Sequence, residues 1–414
     1  MKNIILYGPP GTGKTYTLQK IKKEYLDYEI SDDIIRSGYK TNGYKWFVVA
    51  SVILNNKNCL SSDKIGEAIR NLNITLGNNI STILKEHNII DDILGNNKEP
   101  RIFEEIKDSL DWRVIIDKIP NEIYKKYFVK GEKCRCKFVT FHQSFSYESF
   151  IEGIKPNVEN NIITYDIEDG ILKEICKEAK ENKNQRYALF IDEINRGNVS
   201  EIFGETISLI EEDKRLGEVN ELKVILPYSK EEFGIPNNLD IYGTMNSLDK
   251  SITSIDIALR RRFKFKKIKS DDTELKQFFL ELGLDIENID GVNILKLKNT
   301  LNNRIELLLD DNYLIGNAYF FNIRKLEDIV EAITEKIIPL LEEYFYDDLE
   351  KIQIIFNDLD ESGELNRNAI YCHEVLESDK LFRFLGENNI EDRKKFYVST
   401  NINLESIIKI YDLE

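Results

Sequence analysis

The chain has 414 residues, 42% of them hydrophobic, which is enough for about two to four domains with buried cores. A net charge of −16 excludes a surface built wholly for nucleic acid, although a local basic channel stays compatible with it. The sequence contains no run of about eighteen apolar residues and no signal-peptide pattern. We therefore expect a cytoplasmic protein without a membrane span.

The first predicted element is a short apolar strand, Asn3–Tyr7, followed directly by a glycine-rich loop. The loop reads GPPGTGKT, matches the pattern G-x-x-x-x-G-K-[ST] and is followed by a helical pattern at 16–25. In this context backbone N–H groups cradle phosphate oxygens at a helix N-terminus, the lysine reaches the β and γ phosphates and the threonine hydroxyl binds Mg²⁺. The predicted nucleotide contacts are Gly8, Pro9, Pro10, Gly11, Thr12, Gly13, Lys14, Thr15 and Tyr16, with Thr15 as a metal ligand.

A segment of about a hundred residues, 30–137, separates this helix from the next strand of the core. Three helical patterns follow one another in it, at Tyr44–Asn56, Ser61–Asn73 and Asn78–Ile90. Three short helices and a β-wing are typical of a winged helix, which often binds DNA, but a helical bundle explains the same periodicity. The candidate recognition helix carries a single lysine, Lys85, so docking of a partner protein is an equally good interpretation.

The five cysteines are odd in number and irregularly spaced, which predicts reduced thiols. Cys134 and Cys136 form a C-x-C without a second pair or a nearby histidine. We interpret them as ordinary strand residues rather than zinc ligands.

Two later strands end in polar residues. The apolar run that begins at Tyr187 ends in Asp192 and Glu193, which suit an Mg²⁺ contact through water and a base for the attacking water. The strand Leu239–Asn246 ends in an amide. Because the carboxyl ends of parallel strands meet at one edge of a sheet, Asn246 is predicted to face the terminal phosphate.

A basic triplet, 260–262, follows, and an arginine that reaches a neighbouring subunit's γ-phosphate stabilises the charge that develops in phosphoryl transfer. Beyond it, helical patterns at 271–285 and 290–309 predict a lid, and the turn Leu309–Asn317 is expected to bring a polar segment back to the nucleotide. The predicted domains are the start of the core (1–29), a mostly helical insertion (30–137), the rest of the core (138–269), a helical lid (270–350) and an acidic, α-rich extension (351–414).

These pieces together resemble the AAA+ class of ring-forming NTPases and, more closely, the McrB-type motor subunit of methylcytosine-dependent restriction systems. The resemblance covers about two thirds of the chain and is carried by GPPGTGKT, FVTFHQSFSYESFIEGIKP, ALFIDEINRGNVSEIFGETISLIEEDKR, IPNNLDIYGTMN, SIDIALRRRFKF, IGNAYF and IIPLLEEYF. It implies an α/β AAA+ fold, a parallel sheet flanked by helices, with a C-terminal helical lid.

Residue roles follow from the resemblance by position. It implies that Lys14 and Thr15 contact phosphate and metal, and that Asp192 and Glu193 are the hydrolytic pair. It also implies that Asn246 is the sensor and that Arg261 and Arg262 are contributed across a subunit boundary. It further implies Mg²⁺, GTP hydrolysis, a hexameric ring of this chain and an McrC-type partner that carries the nuclease.

Two departures limit what the resemblance implies. The family's Asn-Thr-Ala-Asp is here Asn246-Ser247-Leu248-Asp249, so a preference for GTP rests on the resemblance alone and ATP stays open. No domain precedes the phosphate loop, where the familiar restriction protein has its reader of modified DNA. We therefore expect the reader to be the insertion or another protein.

The leading hypothesis is an NTPase motor subunit that moves or remodels DNA for a separate nuclease in a restriction or phage-defence complex. A MoxR-like protein-remodelling ATPase would share the core motifs and suit the acidic surface. A nucleotide-dependent switch or scaffold is the third interpretation, and Glu193 counts against it because a switch has little need of a base.

Overall fold

A computed structural model gives the fold and describes residues 1–90, 97–106, 109–159, 162–248, 257–381 and 391–412. Over these residues the strands in chain order are β1 (Asn3–Gly8), β2 (Leu26–Tyr28), β3 (Leu60–Ser61), β4 (Phe103–Glu105), β5 (Asp111–Val114), β6 (Glu132–Cys134), β7 (Cys136–Thr140), β8 (Glu152–Glu159), β9 (Ile162–Asp169), β10 (Tyr187–Asp192), β11 (Val224–Ile225), β12 (Glu232–Phe233), β13 (Leu239–Asn246), β14 (Lys264–Lys267), β15 (Tyr371–Leu376) and β16 (Arg393–Val398).

The α-helices in the same ranges are α1 (Lys14–Lys22), α2 (Asp32–Asn42), α3 (Lys45–Asn55), α4 (Ser62–Asn71), α5 (Ile80–Glu86), α6 (Asn121–Ile123), α7 (Tyr147–Phe150), α8 (Ile171–Glu181), α9 (Val199–Phe203), α10 (Ile257–Arg260), α11 (Asp272–Glu281), α12 (Ile294–Leu308), α13 (Leu326–Glu331), α14 (Ile338–Tyr344), α15 (Glu350–Ile355), α16 (Ser378–Leu381) and α17 (Leu404–Tyr411). None of the helices in the described part of the chain is long and apolar enough to cross a membrane.

A five-stranded sheet has the strand order β14-β1-β13-β10-β7. Strand β10 runs parallel to both of its neighbours, and its Leu189 pairs with Lys137 of β7 and with Ile241 of β13. The apolar run of β10, 187–191, is buried throughout, as expected for a strand covered on both faces. The predicted α/β fold with a parallel sheet is confirmed.

The chain divides into two compact units, which are described one at a time. The first unit comprises Met1–Ile4, Thr15–Gly243 and Ile255–Lys264, and the second comprises Ile5–Lys14, Thr244–Ser254 and Phe265–Glu414. Most of the phosphate loop falls in the same unit as the lid.

Within the first unit, the insertion has its own hydrophobic core. Helix α3 is buried along nearly its whole length and packs with residues of α2, α4 and α5 and of a three-stranded antiparallel sheet. That sheet has the order β3-β5-β4, and strands β2 and β6 pair antiparallel where the insertion leaves and rejoins the core. The three predicted helices are present, and the mixed segment 100–115 forms strands.

The expectation of reduced thiols is wrong for two cysteines. Cys134 and Cys136 form a disulfide, whereas Cys59, Cys176 and Cys372 are free thiols. Strand β6 ends at the first of the pair and β7 begins at the second, so the chain turns between them and the two Cα atoms lie 5.0 Å apart. The C-x-C spacing alone did not reveal that turn.

In the second unit, the lid and the C-terminal extension share one hydrophobic core. Buried residues of that core run from Leu275 in α11 to Ile410 in α17. In the extension, β15 and β16 pair antiparallel over six positions. The core thus includes residues on both sides of the predicted boundary at 350.

A buried ion-pair cluster joins the β8–β9 hairpin to α8 in the first unit. Lys173 is 3% exposed, and its Nζ lies 2.7 Å from Glu152, 3.0 Å from Asp169 and 3.0 Å from Glu231. Glu152 is fully buried and also accepts the N–H groups of residues 228 and 229. Burial raises the pKa of the Glu152 carboxyl, but the hydrogen bonds from Lys173 and the 229 N–H outweigh it and hold that pKa below its usual range.

The cluster predicts an asymmetric stability effect. Lys173→Met leaves a buried carboxylate without its cation and should lower the free energy of unfolding by about 3 kcal/mol, whereas the double variant Lys173→Met/Glu152→Gln should recover part of that loss. Urea unfolding followed by circular dichroism measures both.

Because the folded pKa of Glu152 is depressed, the stabilisation that Glu152 contributes is present above the unfolded pKa of about 4.3 and is lost as the pH falls through the folded value. Equal losses in the single and double variants at neutral pH would contradict the role given to the pair.

Candidate nucleotide-binding site

The phosphate loop adopts the left-handed backbone that its glycines allow. Gly11 and Gly13 have φ values of 74° and 85°. A side chain at either position would be strained in this conformation, so the loop needs glycine there. With these turns, the loop has the backbone that aims N–H groups at phosphate oxygens.

Lys14 is folded back over the loop. Its side chain is buried, and Nζ donates hydrogen bonds to the carbonyl oxygens of Gly8 at 2.9 Å and Pro9 at 2.7 Å. The Thr12 hydroxyl donates to the same Pro9 carbonyl at 2.9 Å. The ammonium is thus held at the loop, where phosphate oxygens can take the place of the carbonyls.

A lid segment, Gly316–Tyr319, contacts the phosphate loop directly. The Ala318 N–H donates to the Gly11 carbonyl at 3.1 Å, and the Tyr319 ring packs over Gly11. Any Cβ on Gly316 would lie 2.1 Å from the Gly11 carbonyl carbon, so only glycine fits there. The predicted return of a polar lid segment to the loop is therefore present.

A buried lysine that sequence reasoning missed holds this segment in place. Lys298 is 1% exposed, and its Nζ lies 2.6 Å from Asp272 and 2.7 Å from the Asn317 side-chain oxygen, which also accepts from Ser270. The signal was present in the sequence, because Lys298 falls on the apolar stripe of α12. That stripe is formed by the buried residues Ile294, Leu297, Leu301 and Ile305.

The end of β13 lies beside the start of the phosphate loop. The Ser247 N–H donates to the Gly8 carbonyl at 3.2 Å, and the Asn246 side-chain oxygen accepts the Leu248 N–H at 3.3 Å. The structure thus brings the predicted sensor strand to the loop within one unit. Asp249, the last position of the altered family signature, lies outside the described residues.

In the first unit, the two candidate carboxylates follow the buried strand β10. Asp192 is half-buried at its end, and its backbone carbonyl accepts the Phe141 N–H at 3.0 Å. Glu193 has a left-handed backbone with φ of 52°, which is uncommon for a residue other than glycine and is often found at functional sites. Its carboxylate lies 3.4 Å from the Arg196 guanidinium, a contact that the sequence did not predict.

Thr15 and Tyr16, the last predicted nucleotide contacts, belong to the same unit and are both exposed. The Lys20 ammonium lies over the Tyr16 ring, 4.4 Å from its centroid. The ring is therefore held by a cation one helical turn further along α1.

The two candidate finger arginines lie in different environments. Arg262 is 6% exposed at its side chain and lies 2.8 Å from Glu211, an ion pair within the chain. Arg261 is 67% exposed and lies 3.6 Å from the same carboxylate. A hydrogen bond from Lys214, with the positive charges of both arginines, holds the pKa of Glu211 below its usual range. The exposed Arg261 is the better placed of the two to reach another chain.

Comparison with known proteins identifies two domains of the chain. Residues 123–263 match the family model described as AAA domain (dynein-related subfamily), and residues 293–353 match the McrB, alpha-helical lid domain. The chain carries an AAA domain and an McrB-type lid domain. The lid match covers α12 to α14, and the AAA match covers β7, β10 and β13 of the parallel sheet. These matches indicate a P-loop NTPase.

Two curated relatives are components of restriction enzymes. The chain is 39% identical over 251 residues to the Type IV methyl-directed restriction enzyme EcoKMcrB subunit of Escherichia coli, which covers 56% of this McrB-type chain and 52% of the relative. It is 26% identical over 163 residues to the Type II restriction enzyme BsuMI component YdiS of Bacillus subtilis, which covers 32% of this chain and 47% of that protein. The chain thus spans about half the length of the curated relatives it matches.

The contact between Gly316 and Gly11 predicts that Gly316→Ala weakens nucleotide binding. The added Cβ forces the lid segment or the loop to move, at a cost of about 1–3 kcal/mol, which corresponds to about 5-fold to 150-fold in affinity. Titration with fluorescent GTP and ATP analogues measures it.

Gly66→Ala is the matched control, because a Cβ at Gly66 would find its nearest neighbour at 3.7 Å. That variant should bind nucleotide like the unmodified chain. Unchanged affinity in Gly316→Ala, with unchanged circular dichroism, would refute the close approach of lid and loop.

Proposed function

We propose that this chain hydrolyses GTP or ATP as the motor subunit of a restriction or phage-defence complex. In this proposal it assembles into a ring, with six copies expected, and drives the movement or remodelling of DNA for a separate McrC-like nuclease subunit. The observation that carries the proposal is the phosphate loop held by an McrB-type lid, in a chain that also carries the Asp192-Glu193 strand end and resembles restriction-enzyme components.

The donor set fits a magnesium nucleotide. The Thr15 hydroxyl is exposed at the start of α1, and Asp192 is a half-buried carboxylate at a strand end, so both offer the hard oxygen ligands that Mg²⁺ prefers. Mg²⁺ would neutralise charge on the terminal phosphates. Lys14 would exchange its two loop carbonyls for phosphate oxygens, and Asn246 would report whether the terminal phosphate is present.

Glu193 is assigned the role of general base for the attacking water. The Arg196 guanidinium, 3.4 Å from one carboxylate oxygen, favours the ionised form that a base requires and would compete with the attacking water for that oxygen.

Arg261 is assigned the role of the finger that completes a neighbouring copy's site. Its exposed side chain at the end of α10 suits a contact outside the chain, whereas the Glu211 pair of Arg262 suits a structural role that shapes this region. The turnover rate would then depend on assembly.

Protein remodelling by a MoxR-like mechanism is the alternative, and the net charge of −16 favours it, because an acidic surface repels nucleic acid. A switch or scaffold would bind nucleotide without turning it over.

Hydrolysis of GTP and ATP, measured alone and with duplex DNA and the product of a neighbouring nuclease gene, separates the motor, the remodelling ATPase and the switch. Turnover stimulated by the nuclease supports the motor, ATP turnover indifferent to DNA and nuclease points to remodelling, and negligible turnover with every partner points to the switch.

The base assignment predicts that Glu193→Gln lowers kcat by at least about a hundredfold while nucleotide affinity stays within about twofold. The amide keeps the shape of the side chain but cannot accept the proton. Steady-state hydrolysis and analogue titration measure the two quantities. Turnover near the unmodified rate would remove Glu193 from the chemistry.

The two arginines predict opposite phenotypes. Arg261→Ala should lower kcat about a hundredfold or more without changing the unfolding midpoint, because it removes charge stabilisation from a neighbour's site. Arg262→Ala should lower the free energy of unfolding by about 2 kcal/mol, less than for a fully buried pair because Glu211 is partly exposed. The reverse pattern would exchange the two assignments.

A further inference from the structure

The insertion combines a recognisable order of elements with an unusual charge. Its elements run α3, β3, α4, α5, β4, β5. The last strand pairs with both others, with Trp112 opposite Leu60 of β3 and Val114 opposite Phe103 of β4. This order of helix, strand, two helices and two strands, with sheet order β3-β5-β4, is that of a winged helix. In such modules α5 occupies the position of the helix that enters a groove of DNA.

The charge of the chain is divided unevenly. Residues 30–137 contain 18 Lys and Arg against 15 Asp and Glu, a net charge of +3, in a chain whose net charge is −16. The rest of the chain therefore carries −19. A charge asymmetry of this kind marks the insertion as the part able to approach a polyanion.

One stretch of the module's sequence, whose exposed side we call the acid-free surface, contains no acidic residue. The 18 residues from 68 to 85, which cover the end of α4, the following turn and most of α5, contain no Asp or Glu, although acids make up 73 of 414 residues overall. The exposed side chains of this stretch are cations, amides and hydroxyls, and include Arg70, Asn73, Thr75, Asn78, Asn79, Thr82 and Lys85.

Two ion contacts extend this acid-free surface. The Lys45 ammonium at the start of α3 lies 2.9 Å from the Asn78 side-chain oxygen, which adds a cation beside the turn. Glu86, the first acid after the stretch, is paired with Lys98 at 2.9 Å. The surface thus presents Lys45, Arg70 and Lys85. Of the two acids that flank it in sequence, Glu86 is paired with Lys98, whereas Glu67 is exposed one helical turn before Arg70.

We propose that the acid-free surface of the insertion, formed by 68–85 and Lys45, binds double-stranded DNA. An α-helix fits the major groove, asparagine pairs with adenine edges, and hydroxyl and cationic side chains bind phosphates. Three cations neutralise about three phosphates, so one copy binds weakly, and several copies held together in an assembly gain affinity through multivalency. This inference rests on the proposed function in one respect, which is the choice of DNA as the polyanion that the surface binds.

The test measures binding of the full chain, in the absence of nucleotide, to a fluorescein-labelled DNA duplex by fluorescence anisotropy. Salt is varied between 50 and 200 mM, because phosphate contacts weaken strongly over that range. Lys45→Glu/Lys85→Glu should weaken binding about tenfold or more. Replacing Lys85 alone by alanine should reduce the slope of log affinity against log salt by about 1.

Lys325→Glu/Lys395→Glu is the matched control, because both lysines are 61% exposed at their side chains and the change in net charge is identical. Its affinity should stay within about twofold of the unmodified chain. The two tryptophans, Trp46 and Trp112, are both buried in the insertion, so an unchanged emission spectrum shows that each variant keeps the module folded.

The proposal is overturned if duplex binding is undetectable up to about 100 μM, the weak end of non-specific binding, or is equally strong in the Lys45/Lys85 variant. Loss of a protein partner from that variant, with duplex binding unchanged, would reassign the surface to protein docking. NTP hydrolysis is measured on the same variants and should stay unchanged. Loss of hydrolysis would count against the proposed function, whereas loss of duplex binding alone would count only for or against this surface.

Discussion

Parallel pairing of β10 with β7 and β13 is the constraint on which the functional geometry depends. A strand buried between two parallel neighbours must be apolar along its length, and its first polar residue can emerge only where the strand ends. Asp192 pairs with Thr140 at that end, and Glu193 turns the chain sharply with a left-handed backbone. The sheet therefore determines where the carboxylates lie before any nucleotide is considered.

The second compact unit applies a comparable constraint to the phosphate loop. The main chains of lid and loop are in direct contact. Gly316 packs against Gly11, and the Ala318 N–H donates a hydrogen bond to the Gly11 carbonyl. Lys298 is buried among apolar neighbours of α12, and its ammonium donates hydrogen bonds to Asp272 and Asn317. The lid position and the loop conformation are therefore coupled, because a movement of one requires a movement of the other.

The sequence was sufficient for elements whose pattern is local. The bounds of β10 and β13 and the phosphate loop follow from apolar runs and glycine spacing, and the McrB-type family is confirmed. Interactions between residues that are distant in the chain could not be predicted from the sequence. Arg261 and Arg262 both approach Glu211, some fifty residues away, and differ in burial there. The Cys134–Cys136 bond depends on a turn that spacing does not specify, and the β15–β16 pair joins segments whose individual patterns are weak.

In the proposed assembly, each nucleotide site takes its loop from one copy and its finger from another. A mixing experiment with Lys14→Ala and Arg261→Ala chains tests this most directly, since the first keeps the finger and the second keeps the loop. Each variant alone should be nearly inactive, and an equal mixture should regain turnover at about one quarter of its interfaces if copies assemble at random. A mixture as inactive as its components, or an Arg261→Ala chain that hydrolyses nucleotide at the unmodified rate, would contradict the claim.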